Sequence, residues 1–180
     1  IKNQKQKYFA CSEGLGFNLF NQPVALSITT VKKKNQPKTT KVFFNSHLQF
    51  SDLISQFQWP EFSDISGGFD YQGVLILPTE GKSQNSLQIT SDLQGLSVNL
   101  PEPLAKKPYE KLPMNLNFLF GGALNPQLMI HLQNKMDSLF LFKIMNCQLS
   151  FYAGNLLLGQ GIATIPDNQT GLTIGANLET

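Results

Sequence analysis

Arginine is absent: all fourteen basic residues of this 180-residue chain are lysine. That gap weighs against nucleic-acid recognition, where Arg supplies the commonest base contacts and the bidentate phosphate contacts. Charge of either sign is scarce. Only 14% of residues are charged, against about 25% in an average domain. The net charge of +2 is too small to gather a polyanion by itself. No apolar run reaches the roughly 18 to 20 residues that a bilayer-spanning helix needs. The first ten residues, IKNQKQKYFA, hold neither an initiator Met nor the apolar centre of a signal peptide. The expectation is a piece cut from a longer chain.

Residues for chemistry are equally sparse. There are two cysteines, Cys11 and Cys147, and two histidines, His47 and His131. The cysteines are expected as buried free thiols, with a disulfide as the alternative in an oxidising compartment. None of the four stands at metal-ligand spacing, so no metal and no cofactor is expected. His131 alternates with an apolar set and is expected on a polar face. Asp64 and Asp70 flank a glycine-rich turn and read as turn and cap residues. Gly14-Leu15-Gly16 and Gly159-Gln160-Gly161 lack the strand-to-helix setting of a phosphate loop. Asn168-Gln169-Thr170 matches a glycosylation acceptor, a pattern that matters only in a glycosylating pathway. No catalytic set is recognisable, and the chain is not expected to be an enzyme.

What the chain does have is alternation. Leu15, Phe17 and Leu19, then Val24, Leu26 and Ile28, keep the period of a strand with one apolar face. A lysine-rich tip, residues 32–38, leads to a strand from Lys41 to Leu48. Residues 51–57 make the best helix candidate, with Ser51 as its N-cap and Pro60 beyond its end. Gly67-Gly68 introduces a strand from Phe69 to Leu77. Leu87 and Ile89 follow, and then Leu96, Val98 and Leu100 alternate until Pro101 and Pro103 remove two ladder donors. That pattern predicts a hairpin that ejects its chain into an extended proline arm, with Lys106 and Lys107 as solvated loop residues. Leu116, Phe118 and Phe120 alternate next, as do Leu128, Ile130 and Leu132. Leu139 to Met145 is apolar at nearly every position, which predicts a strand covered on both faces. Strands near 149–152 and 156–165 precede a last one at 172–178.

Ten or eleven strands at this spacing predict an all-β fold with at most one or two short helices. The expected form is a curved, mainly antiparallel sheet folded into a groove, or an open sandwich or barrel, as a single segment over residues 1–180. Residue pattern alone leaves two readings of the apolar positions. They form an ordinary packed core, or a face partly open to hydrocarbon.

The stretch SDLQGLSVNLPEPLAKKP is the most distinctive in the chain. It resembles the YhdP-type AsmA-like family of Gram-negative envelope proteins, in which a turn of this kind leads into a proline-interrupted arm. The residues that carry the motif are Ser91, Asp92, Leu93, Gln94, Gly95, Leu96, Leu100, Pro101, Pro103 and Leu104. ISGGFDYQGVLILP resembles the same family's strand, with Tyr71 where its pattern has tryptophan. FNQPVALSITT and GLTIGANLE match its strand style. The resemblance runs from about Gly14 to Glu179 and implies a periplasmic protein tethered to the inner membrane by a helix outside this stretch. It also implies phospholipid movement between inner and outer membranes, without catalysis, in an apolar β-groove. The acyl chains would contact Leu116, Phe118, Phe120, Leu128, Ile130 and Leu132. The alternative is a structural or interaction module of the envelope that binds no lipid.

Overall fold

The computed structural model describes residues 17–19, 22–31, 38–57, 63–79, 83–146, 148–164 and 170–177. Leu15, both cysteines, residues 32–37, Pro60 and Asn168-Gln169 fall outside that set. The chain begins with β1 (Phe17–Leu19), β2 (Gln22–Val31) and β3 (Thr39–Gln49), and then α1 (Phe50–Phe57). There follow β4 (Ile65–Pro78), β5 (Asn85–Ser91), β6 (Leu96–Val98) and β7 (Met114–Phe120). The last strands are β8 (Gln127–Leu132), β9 (Met136–Met145), β10 (Gln148–Gly159) and β11 (Gly171–Asn177).

All eleven strands join one sheet, in the order β1-β2-β3-β4-β5-β7-β8-β9-β10-β11, with β6 attached to β4 off this path. Neighbours pair antiparallel except β10 and β11, which run parallel. The order is nearly that of the chain because each short polar turn returns the backbone beside the strand just left. β1 and β11 lie at opposite edges, and the sheet does not close. The expected all-β, mainly antiparallel architecture with at most one or two short helices is found, as an open sheet with one short helix among the described residues.

The structure corrects several local expectations. The helix starts one residue early, so Ser51 lies inside it and its carbonyl accepts the Ser55 hydroxyl at 2.9 Å. β4 runs straight through Gly67-Gly68 rather than starting after them. Asp70 is a strand residue, hydrogen-bonded to His47 Nδ1 at 2.7 Å, not a cap. The two strands expected near 149–152 and 156–165 are one strand, β10, with a register shift between Phe151 and Ala153. β9 is not covered on both faces along its length, because Ile144 and Met145 are exposed.

The region after β5 departs furthest from expectation. β6 does not turn back onto β5 but pairs with the start of β4, Leu96 opposite Gly67 and Val98 opposite Ile65. The proline arm is folded rather than extended. Leu104 N donates to Pro101 O at 3.0 Å, and Val98 and Lys106 exchange backbone hydrogen bonds at 2.9 Å. Leu100 stands beyond the strand, in this bend. Lys106 is buried, with Nζ donating to Leu96 O at 2.8 Å and Lys107 O at 3.1 Å. Only Lys107 is the solvated loop lysine expected, its ammonium 5.9 Å from the centroid of the Tyr109 ring.

Candidate functional site: an open apolar trough

Side chains directly opposite each other on paired strands share a face, so the register traces rows across the sheet. One row reads Leu26, Phe44, Gly73, Ile89, Leu116, Ile130, Ser138, Leu156 and Ile174. The row beside it, two residues along each strand, reads Ile28, Val42, Leu75, Leu87, Phe118, Leu128, Phe140, Gly154 and Leu172. Neither row contains a charge. Each crosses nine strands, and eight strand spacings make a band about 38 Å long.

The gaps in the band are filled by its neighbours. A side chain on Gly73 would fall inside the Phe44 ring, and one on Gly154 would meet Phe140 and Phe151. Aromatic rings therefore cover both glycines. Ser138 is buried, and its hydroxyl donates to Ile130 O at 3.1 Å, which removes its polar atom from the surface. Phe118 stacks on Phe120 with centroids 5.3 Å apart and meets Phe142 edge-on at 6.5 Å. Phe142 lies on β9, two strands from β7, so these rings lean towards each other over β8.

Most of the band is half-buried, and exposure rises towards β11, where Leu172 and Ile174 are exposed. All six residues expected to line a groove lie on this one face. Leu116 opposes Ile130, and Phe118 opposes Leu128. Phe120 ends its strand opposite Asn85. Leu132 differs from the other five, for it packs against a buried cluster that closes one end of the strands.

That cluster is built by the distinctive motif. Leu48, Phe69, Tyr71, Leu93, Leu96 and Leu112 form it, with Phe50 and Leu53 of α1 against it. It also takes in Leu132 on β8, although four strand spacings, about 19 Å, separate β3 from β8 in a flat sheet. The loop's leucines fill that span. Local hydrogen bonds fix the loop. Ser91 Oγ donates to Asp70 O at 2.6 Å and accepts Leu93 N at 2.9 Å. Asp92 accepts Gln94 N at 3.1 Å and pairs with Lys111 at 3.1 Å. These contacts, the Gln94 amide first, hold the Asp92 carboxyl below its usual range.

The glycines of the two motif segments meet here. Gly95 has φ 101° and Gly67 φ 89°, both positive. A side chain on Gly95 would strike the Gly68 carbonyl, and one on Gly67 the Gly95 carbonyl. The backbones touch where SDLQGL crosses ISGGF. Of the remaining motif residues, Gln94 and Pro101 are exposed, while Pro103 and Leu104 are half-buried in the folded arm. Tyr71 occupies the boundary between cluster and band, edge-on to Phe44 at 6.2 Å. Burial pushes its phenol above the ordinary range, opposed by a hydrogen bond with Ser46.

The opposite face is polar along one row: Asn45, Gln72, Thr90, Asn115, His131 and Asp137 lie side by side. His131 is therefore on a polar face, 3.1 Å from Asp137. A concavity of about 880 Å³ opens beside Gln72, Thr90, Asn115 and the Ser91 turn rather than on the apolar band. It is a shallow polar depression. Among the described residues no three His, Cys, Asp or Glu side chains converge, and no helix is long and apolar enough to cross a membrane.

Sequence reading missed Lys106 and Leu112 as parts of this closure. Leu112 carried a weak signal, an apolar residue flanked by Lys111 and Pro113 in a polar stretch. Lys106 carried none. No curated protein and no solved structure matches the chain. A family model described as YhdP protein matches residues 10–180. With its motif at the closed end of an open apolar sheet, the chain belongs to the YhdP family of AsmA-like Gram-negative envelope proteins.

Proposed function

We propose that this chain is a segment of a longer periplasmic, membrane-tethered protein that carries phospholipid acyl chains between inner and outer membranes without catalysis. The observation that carries the reading is the uncharged two-row band across nine strands, half-buried along most of its length and exposed at β11. Exposed apolar area of this extent on a sheet face marks a contact surface. Each methylene moved from water onto such a face gains about 0.8 kcal/mol. A chain of sixteen or so carbons therefore has a large reason to lie there. Family membership supports the same role. A packed scaffold module would need a second layer over the band, and among the described residues every strand lies in one sheet, which argues against that reading.

Native mass spectrometry of gently purified protein tests the proposal, with bound phospholipid as the expected result. Phe118→Glu gives the site-level test. On an open face the carboxylate reaches water, so the variant is expected to fold, melt cooperatively and lose tenfold or more in lipid occupancy. In a closed core the same change would bury an unpaired charge and cost several kcal/mol. An insoluble or unfolded Phe118→Glu protein, or a folded wild type that never carries lipid, would overturn the reading.

A further inference from the structure

The last hairpin of the sheet projects past its neighbours. β8 pairs with β9 only as far as Leu141, and β11 pairs with β10 only from Ala153 onward. Between those limits no other described strand pairs with residues 143–146 or 148–151 of the ribbon, and the neighbouring Phe142 N still donates to Pro126 O at 2.9 Å. Four of the ribbon's side chains are large, apolar and exposed: Ile144 61%, Met145 57%, Leu149 51% and Phe151 48%. Ile144 opposes Leu149 and Phe142 opposes Phe151, so Phe142, Ile144, Leu149 and Phe151 extend the apolar face of the trough beyond the sheet, with Met145 on the other face.

The base of the ribbon has a different character. The Lys143 ammonium sits 3.7 Å from the centroid of the Tyr152 ring. Tyr152 is skipped where the register shifts, and such a bulge bends a ribbon and re-aims its tip. No Asp or Glu occurs between Asp137 and Asp167, so Lys143 is the only charge of its stretch. An apolar tip above a lysine and a tyrosine is the arrangement suited to a membrane interface, where a cation and an amphipathic ring sit at headgroup level.

We propose that this finger docks the protein on an anionic phospholipid bilayer, its tip in the interfacial layer and its apolar face a ramp into the trough. The proposal rests on the lipid-carrying reading above. Continuity with the band favours lipid over a protein partner, and the lone cation favours an anionic surface. The ribbon's outer edges, which face no described strand, set the depth, because open backbone groups are not tolerated in the hydrocarbon core.

Flotation with vesicles of phosphatidylcholine and phosphatidylglycerol (3:1), and of phosphatidylcholine alone, tests it on the 180-residue chain. Wild type should float with the mixed vesicles. Ile144→Ser with Leu149→Ser should weaken partition tenfold or more. Lys143→Gln should weaken it several-fold on mixed vesicles at low salt and leave phosphatidylcholine binding unchanged. Met145→Glu, at an exposed tip position, gives the same test should the double variant fold poorly. Lipid held in the trough, read by native mass spectrometry, should stay at wild-type level in the finger variants. A wild type that does not float, or finger variants that float equally well, would overturn the proposal. So would a finger substitution that alters only self-association in light scattering, since that makes the ribbon a protein contact. A wild type that floats but carries no trough lipid would instead count against the transport reading.

Discussion

Leu96 and Leu172 belong to the same sheet, yet the first is 8% exposed and the second 53%. Leu96 stands where the motif loop, α1 and the strand ends of β3, β4 and β8 converge on one cluster. Leu172 stands on β11 at the far edge, on the same apolar band that runs under the cluster's neighbours. The contrast separates two uses of apolar surface in one fold. At the closed end burial supplies stability. Across the open band the same residue types stay half-covered, and the fold gives up part of the stabilisation they could have provided. A sheet with one apolar face and no second layer needs such an anchored region, because a lone sheet buries too little to hold its own register. The family motif is therefore best understood as the anchor. Its hydrogen bonds and leucines hold the sheet while the band remains uncovered.

The sharpest way to break that comparison is at the backbone crossing. Gly95→Ala adds a side chain at positive φ and drives it into the Gly68 carbonyl. Strain and overpacking together should cost roughly 2–5 kcal/mol, seen as a large fall in the thermal midpoint. A near-native midpoint would mean that the crossing is not the anchor.

Truncating the two leucines measures the contrast itself. Leu96→Ala should cost about 2–5 kcal/mol, as for other core truncations. Leu172→Ala should stay within about 0.5 kcal/mol while reducing bound lipid. Chemical denaturation of both variants checks the pair. Equal losses would erase the distinction between closed and open ends.

Lys106 sharpens the comparison more gently. Lys106→Met leaves the Leu96 and Lys107 carbonyls without their ammonium donor and should cost about 1–3 kcal/mol, whereas Lys107→Gln should cost about 0.5 kcal/mol or less. Burial is the main cause that lowers the Lys106 pKa, with Glu110 and Asp92 opposing it. The folded protein thus binds this proton more weakly than the unfolded chain does. The burden is complete below the folded pKa and fades as pH rises through it towards the ordinary lysine value. Wild-type stability should gain on that of Lys106→Met between neutral pH and pH ~10, as read from paired denaturation curves. A constant difference would place the ammonium in water.

Much of the sheet could be read from the chain because alternation is a local property. A strand's side chains point to opposite faces whatever lies beside it, so Leu116 with Phe118, and Leu128 with Ile130, could each be given a shared face from sequence. The turns were legible for a related reason, since the prolines and glycines that make them act on their own backbone. Ser51 was misplaced because a hydroxyl one residue inside a helix looks the same in sequence as one at its cap.

What sequence alone determined is thus most of the strands, the apolar face and the family motif. Tertiary structure decided which strand takes β6, where the proline arm goes, that Lys106 is buried, and that the β9–β10 ribbon stands clear of the other described strands. Each of these depends on contacts between residues far apart in the chain. Gly95 meets Gly68 and Lys106 meets Leu96 only after the sheet has formed. The openness of the band is of the same kind. A strand pattern records that one face is apolar, and only the packing of the rest of the chain determines whether anything covers it.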